Sequence, residues 1–269
     1  MNNFLQRILT GTVFVGVILA SIWWGPLYFQ YLFLLVAILA LDEFYRLTTT
    51  ENEQPNRIGG IIAGVLCYLL LSFTASGDIP VRLLTLIFPI LVLLFFAELY
   101  RKKTFPFRNI SLTVTGILYT TLPLALLTHI AFTDLYYNRA LLIGYFVILW
   151  SSDSFAYVHG NLFGRSKLFE RISPKKSWEG SILGGLSTLG VAWGFSVFNP
   201  EIPLVQWMIM AVLICITGTL GDLTESLLKR SLGVKDSGNL LPGHGGILDR
   251  FDALFLSIPF VWAFFQIFS

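Results

Sequence analysis

Charge is scarce in this chain. Asp, Glu, Lys and Arg make up 13% of its 269 residues, whereas a soluble domain carries about 25%. Hydrophobic residues make up 55%, and mean hydropathy is +0.73. These values exclude an ordinary water-soluble fold and define a polytopic membrane protein. Cysteine is rarer still. Cys67 and Cys215 both lie in apolar runs, without metal-ligand or redox spacing. They read as inert buried thiols, which excludes a thiolate metal centre. There is no low-complexity tract, no internal repeat and no stretch that fits a soluble domain.

What is present is a series of nine apolar spans, roughly 8–24, 27–41, 58–74, 83–99, 110–132, 140–160, 179–198, 204–221 and 247–268. The expected fold is all-α, a polytopic helical membrane bundle of about nine transmembrane helices. Gly25-Pro26, preceded by Trp23-Trp24, reads as a tight interfacial turn between the first two. Arg7 precedes the first span, but no small-x-small cleavage site follows, so that span is read as retained. With the N-terminus cytoplasmic, sixteen of the eighteen Lys and Arg fall on one side, leaving only Arg82 and Arg139 on the other. The positive-inside rule therefore sets a cytoplasmic N-terminus and an outer C-terminus.

Polar chemistry is concentrated in the second half. Residues 1–139 read as plain N-terminal transmembrane helices. Asp42, Glu43 and Glu98 there read as solvated charges at helix ends, and His129 as structural. Residues 140–269 read as a C-terminal catalytic transmembrane region with cytoplasmic loops. Thr217 to Asp252 carries five of the sixteen acidic residues, namely Asp222, Glu225, Asp236, Asp249 and Asp252, beside Lys229, Arg230, Lys235 and Arg250.

Asp222, Glu225, Ser226 and Lys229 fall at i, i+3, i+4 and i+7, one face of a helix. Carboxylates there suit a hard divalent cation, and the cation and lysine suit phosphate oxygens. Gly243, Gly245 and Gly246 bracket His244 and permit close backbone approach to a ligand. Asp249 and Asp252 sit at i and i+3 as the last helix begins. The plain alternative is a cytoplasmic loop with snorkelling charges.

A second constellation spans residues 150–180. Asp153 lies about two turns inside the sixth span among Ser151, Ser152 and Ser154, where a carboxylate needs a partner. His159 is either a base or a surface residue. Ser173-Pro174 reads as an N-cap followed by proline at the first helical position, which puts Lys175 and Lys176 in the first turn. Cations there oppose the helix dipole unless an anion such as phosphate joins them. Gly180 and Gly184 form a small-xxx-small pair that permits close helix packing.

Three segments together resemble the phosphatidate cytidylyltransferases (CDP-diacylglycerol synthases). They are Asp153-Ser-Phe-Ala-Tyr, Ser173-Pro-Lys-Lys-Ser-Trp-Glu-Gly, and Ser226-Leu-Leu-Lys-Arg followed by Lys235-Asp and Leu241-Pro-Gly-His-Gly-Gly-Ile-Leu-Asp-Arg-Phe-Asp252. The resemblance covers the second half by motif and the first half by hydropathy alone. It implies an all-helical membrane enzyme that converts CTP and phosphatidic acid to CDP-diacylglycerol and pyrophosphate. It implies Mg²⁺ on Asp222 and Asp249, with K⁺ as a candidate second ion.

On this expectation Ser226, Lys229 and Arg230 hold phosphate oxygens beside the two aspartates. Lys175 and Lys176 bind the triphosphate or the lipid head. Asp153, His244 and Arg250 complete the substrate site, and Glu225, Asp236 and Asp252 act as ligands or supports. The expected partners are CTP, phosphatidic acid and the bilayer, with no nucleic acid. A homodimer is a candidate assembly, and the expected location is a bacterial inner membrane. The rivals are an ion-coupled transporter and another lipid-modifying enzyme such as a lipid kinase or prenyltransferase. The paired broken helices expected of a transporter are missing from the sequence.

Overall fold

A computed structural model describes residues 3–133, 135–238, 240 and 245–268. Among these, eight helices are long and apolar enough to cross a membrane, and the first helix holds a further apolar stretch, Leu9–Trp24. They fall on the nine apolar runs of the sequence, and the chain is a polytopic helical membrane protein. It divides into two compact units, residues 1–137 with 236–250, and residues 138–235 with 251–269.

The first unit contains α1 (Asn3–Trp24), α2 (Pro26–Thr48), α3 (Arg57–Ala75), α4 (Ile87–Arg101), α5 (Pro106–Gly116) and α6 (Leu122–Ala131). Proline at the first position of α2 costs no hydrogen bond, because that N–H has no helical acceptor. Between α5 and α6 the helix widens to a π turn at Ile117–Thr121. Pro123 lies two residues beyond it and cannot donate into an α ladder, which accounts for the local shift. A two-residue hairpin pairs β1 (Phe132–Thr133) with β2 (Tyr136–Tyr137).

Buried polar groups in this unit are matched across helices. The Tyr45 hydroxyl donates to Thr113 O at 2.7 Å, and the Tyr68 hydroxyl to Gln30 O at 2.9 Å. Glu98 is not a solvated end charge. It is 4% exposed and accepts from Arg101 Nη1 at 2.6 Å and Asn109 Nδ2 at 2.9 Å. A carboxylate at that depth needs such donors, and the sequence gives no sign that Asn109 supplies one. Asp42 pairs with Arg46 at 2.9 Å and Arg57 at 2.5 Å.

The second unit contains α7 (Arg139–Phe163), β3 (Lys167–Phe169), β4 (Ser173–Ser177), α8 (Trp178–Phe198), α9 (Leu204–Ser231) and most of α10 (Leu248–Phe268). Its core centres on Trp207, which packs against Gly144 and Phe195. The Tyr145 hydroxyl and Ser257 Oγ are 2.6 Å apart.

The expected cap at Ser173 is corrected here. Residues 173–177 form a strand antiparallel to β3, and α8 starts after Ser177. Ser177 Oγ accepts from Gly180 N at 3.2 Å, so the true cap lies four residues later. Lys175 and Lys176 therefore alternate across a strand and do not share a helical turn.

Close packing of α7 on α8 sets the geometry of this unit. A Cβ built on Gly180 would lie 2.7 Å from Gly160 Cα, and one on Gly184 would lie 2.7 Å from Ala156 N. The two backbones touch directly, as the small-xxx-small spacing predicts.

Candidate functional site

Helix α9 runs 28 residues and carries Asp222, Glu225, Ser226 and Lys229 in its final turns. The one-face spacing read from the sequence is thus realised on a helix. Ser226 Oγ donates to Asp222 Oδ1 at 3.3 Å. Glu225 is almost fully buried, and Lys229 Nζ lies 2.6 Å from its Oε2. A buried carboxylate is tolerable because the ammonium one turn along the helix pairs with it.

Three other elements complete the cluster. Asp252 on α10 brings a carboxylate oxygen to those of Asp222 and Glu225, all within 4.8 Å of one another. From β4, Lys176 Nζ reaches Asp222 Oδ2 at 2.6 Å and Thr219 O at 3.4 Å. Asp153 on α7 lies within electrostatic reach of Lys176, Asp222 and Asp252. Four carboxylates and two lysines from four elements therefore share one locality in the second unit.

Three carboxylates at this spacing form an all-oxygen donor set, the kind that hard divalent cations such as Mg²⁺ take. Lys176 and Lys229 offset part of the negative charge. The residues present fit such an ion, with Asp222, Glu225 and Asp252 as its natural holders.

The other residues expected at the site have the following surroundings. Lys175 is exposed on the other side of β4. Arg230 is exposed and donates from Nη1 to Val234 O at 3.3 Å. Asp236 and Arg250 are exposed in the first unit, where Arg250 N donates to Ile247 O at 3.1 Å. Asp249 also belongs to that unit. Its Oδ2 accepts from Gly246 N at 2.8 Å, Ser237 Oγ at 2.9 Å and Ser237 N at 3.1 Å. His244 lies outside the described residues.

Sequence reasoning ranked Asp252 and Glu225 below Asp222 and Asp249, and the structure groups them with Asp222. Glu43, which the sequence suggests is a solvated helix-end charge, is instead tied to Ser237, Ile247 and Leu248. Asp252 was detectable as the i+3 partner of Asp249. For Glu43 the sequence offers no signal.

An acidic triad with lysine partners, carried on the helices of a membrane protein, is a donor set that suits a hard cation beside phosphate groups. Comparison with known proteins gives the family. The model of the cytidylyltransferase family matches residues 5–268. The phosphatidate cytidylyltransferase of Bacillus subtilis (strain 168) is 34% identical over 275 residues, covering 100% of both chains. That of Haemophilus influenzae is 31% identical over 287 residues, covering 97% of this chain and 98% of the relative. That of Staphylococcus saprophyticus is 34% identical over 260 residues, covering 94% and 95%. The chain belongs to the cytidylyltransferase family and is a nucleotidyltransferase.

Proposed function

We propose that the chain transfers the cytidylyl group of CTP to phosphatidic acid, giving CDP-diacylglycerol and pyrophosphate. The observation that carries this reading is the Asp222–Glu225–Asp252 cluster with Lys176 at its edge, in a chain whose full-length relatives are named for that reaction. A phosphate oxygen of the lipid bonds to the α-phosphorus of CTP, and the bond from that phosphorus to the β-phosphate oxygen breaks. The lipid phosphate is already anionic at neutral pH, so no strong base is required. The difficulty is bringing two anions together.

Asp222, Glu225 and Asp252 would hold Mg²⁺, which supplies charge neutralisation at phosphate oxygens when bound. Lys176 can exchange Asp222 for a phosphate oxygen, since both partners are partly exposed. Lys229 pairs with Glu225 and orients it. Ser226 holds Asp222 from the next turn. Asp249 shapes the turn that precedes α10. We place this cluster on the cytoplasmic side of a bacterial inner membrane, because the sixteen clustered Lys and Arg favour that side.

The test is direct. Purified protein in mixed micelles receives labelled CTP and phosphatidic acid, with and without Mg²⁺, and K⁺ is titrated as a second ion. CDP-diacylglycerol and pyrophosphate are expected in equal amounts, and only with Mg²⁺. Absence of both products from folded protein would remove the reading and reopen the transporter alternative.

A further inference from the structure

Helix α10 begins without a cap of its own. The residues before it are Gly245, Gly246 and Ile247, none of which carries a polar side chain. Free N–H groups at a helix start need acceptors, and an anion is favoured there. The acceptor comes from α2, about two hundred residues away in sequence. Glu43 Oε2 accepts from Ile247 N at 2.9 Å, and Oε1 accepts from Leu248 N at 2.9 Å. Ser237 Oγ lies 2.6 Å from Oε1 and links the carboxylate to the same turn. Leu41, Phe44 and Tyr45 around it on α2 are almost fully buried, so the carboxylate is delivered from a fixed platform.

The surrounding glycines are shaped to this carboxylate. A Cβ on Gly246 would lie 2.0 Å from Glu43 Oε1, and one on Gly238 would lie 2.7 Å from Oε2. Neither glycine has a left-handed backbone. The space Glu43 needs therefore explains the missing side chain at Gly238, and at Gly246 Glu43 shares that role with Ser237 Oγ, which would lie 2.3 Å from the added Cβ.

Granting the cytidylyl-transfer reading, we propose that Glu43 is a positioning residue for that reaction, a remote helix cap that fixes the turn 245–248 and the start of α10. The helix so fixed carries Asp249 in its first turn and Asp252 one turn on. Glu43 touches no reacting atom and acts through the backbone it holds. A structural filler would change yield or melting temperature, whereas a positioning residue changes turnover of protein that remains folded.

The experiment uses the full chain in mixed micelles, with Glu43→Ala, Gly238→Ala, whose added Cβ would meet Glu43 before any other residue, and the double variant, each normalised to folded protein. Each single variant is expected to lower kcat at least tenfold, with KM for CTP within about threefold, the range typical of lost outer supports. The double variant should be no more than about twofold worse than Glu43→Ala, because the glycine matters only while the carboxylate is there. Hydrogen exchange at Ile247 and Leu248 should quicken at least tenfold in Glu43→Ala. Unchanged exchange at these amides overturns the cap, and so does a fully additive double variant. Unchanged kcat per folded molecule overturns the positioning role. If wild-type protein makes no CDP-diacylglycerol, the reaction assignment fails, and the exchange data still decide whether Glu43 holds the turn.

Discussion

Lys176 Nζ stands 2.6 Å from Asp222 Oδ2, yet the two side chains keep 24% and 34% of their exposure. An ion pair this open adds only about 1 kcal/mol or less to stability. Its value lies in exchange, because either partner can turn to an arriving ion without leaving a buried charge behind. Lys176→Ala should therefore leave the fold intact and raise the apparent KM for an anionic substrate roughly tenfold, as expected for loss of a charge-assisted contact. Unchanged titrations of both CTP and phosphatidic acid would count against the lysine as an anion ligand.

Asp222→Asn and Asp252→Asn should each lower turnover by at least about a hundredfold, with a higher Mg²⁺ midpoint where residual activity can be measured. Asp249→Asn should also slow turnover, but with faster hydrogen exchange at Ser237 and Gly246, the amides its carboxylate accepts. Asp252→Asn should leave those two amides unchanged. A normal Mg²⁺ titration in Asp252→Asn would take that residue out of the cation cluster.

Glu225→Ala should be costly to stability. Its carboxylate is 1% exposed and pairs with Lys229 at 2.6 Å, so truncation strands an ammonium in a dry site. The expected loss is about 3 kcal/mol, and replacing both residues by Met should recover much of it. Thermal unfolding of the detergent-solubilised protein measures both. A double variant less stable than Glu225→Ala would contradict the pairing argument.

Gly184→Ala tests the contact between α7 and α8. The added carbon would sit 2.7 Å from Ala156 N, an atom that cannot rotate away. Overpacking of this kind costs about 1–3 kcal/mol and should also move Lys176 relative to Asp153. The readout is a lower melting temperature together with reduced kcat. Gly190→Ala is the control, since its Cβ would meet nothing within 4 Å.

The parts of this protein that were legible in sequence are those set by periodicity. The apolar runs gave the helices, and the spacing of Asp222, Glu225, Ser226 and Lys229 gave the shared face on α9. Gly180 and Gly184 announced close packing because only small residues allow it. Residues whose role depends on a distant partner were not legible. Ser173-Pro174 satisfies the rules for a helix cap, but pairing with Lys167–Phe169 made it a strand, and no local signal encodes that pairing. Asp249 and Asp252 are equivalent by spacing, and only tertiary contacts show Asp249 bonded to Ser237 and Gly246 and Asp252 beside Asp222 and Glu225. Glu43 resembled a surface charge because its partners begin 194 residues later.

At 28 residues, α9 is about 42 Å long, whereas the hydrocarbon layer is about 30 Å thick. Standing upright, α9 would reach roughly two turns beyond the oil, and its final turns carry Asp222 to Lys229. On the proposed reaction, a diacyl substrate would then keep its tails in the leaflet and present its phosphate by sideways diffusion alone. Turnover would follow the lipid's mole fraction in the surface and be indifferent to its bulk concentration, as surface dilution with an inert lipid can show.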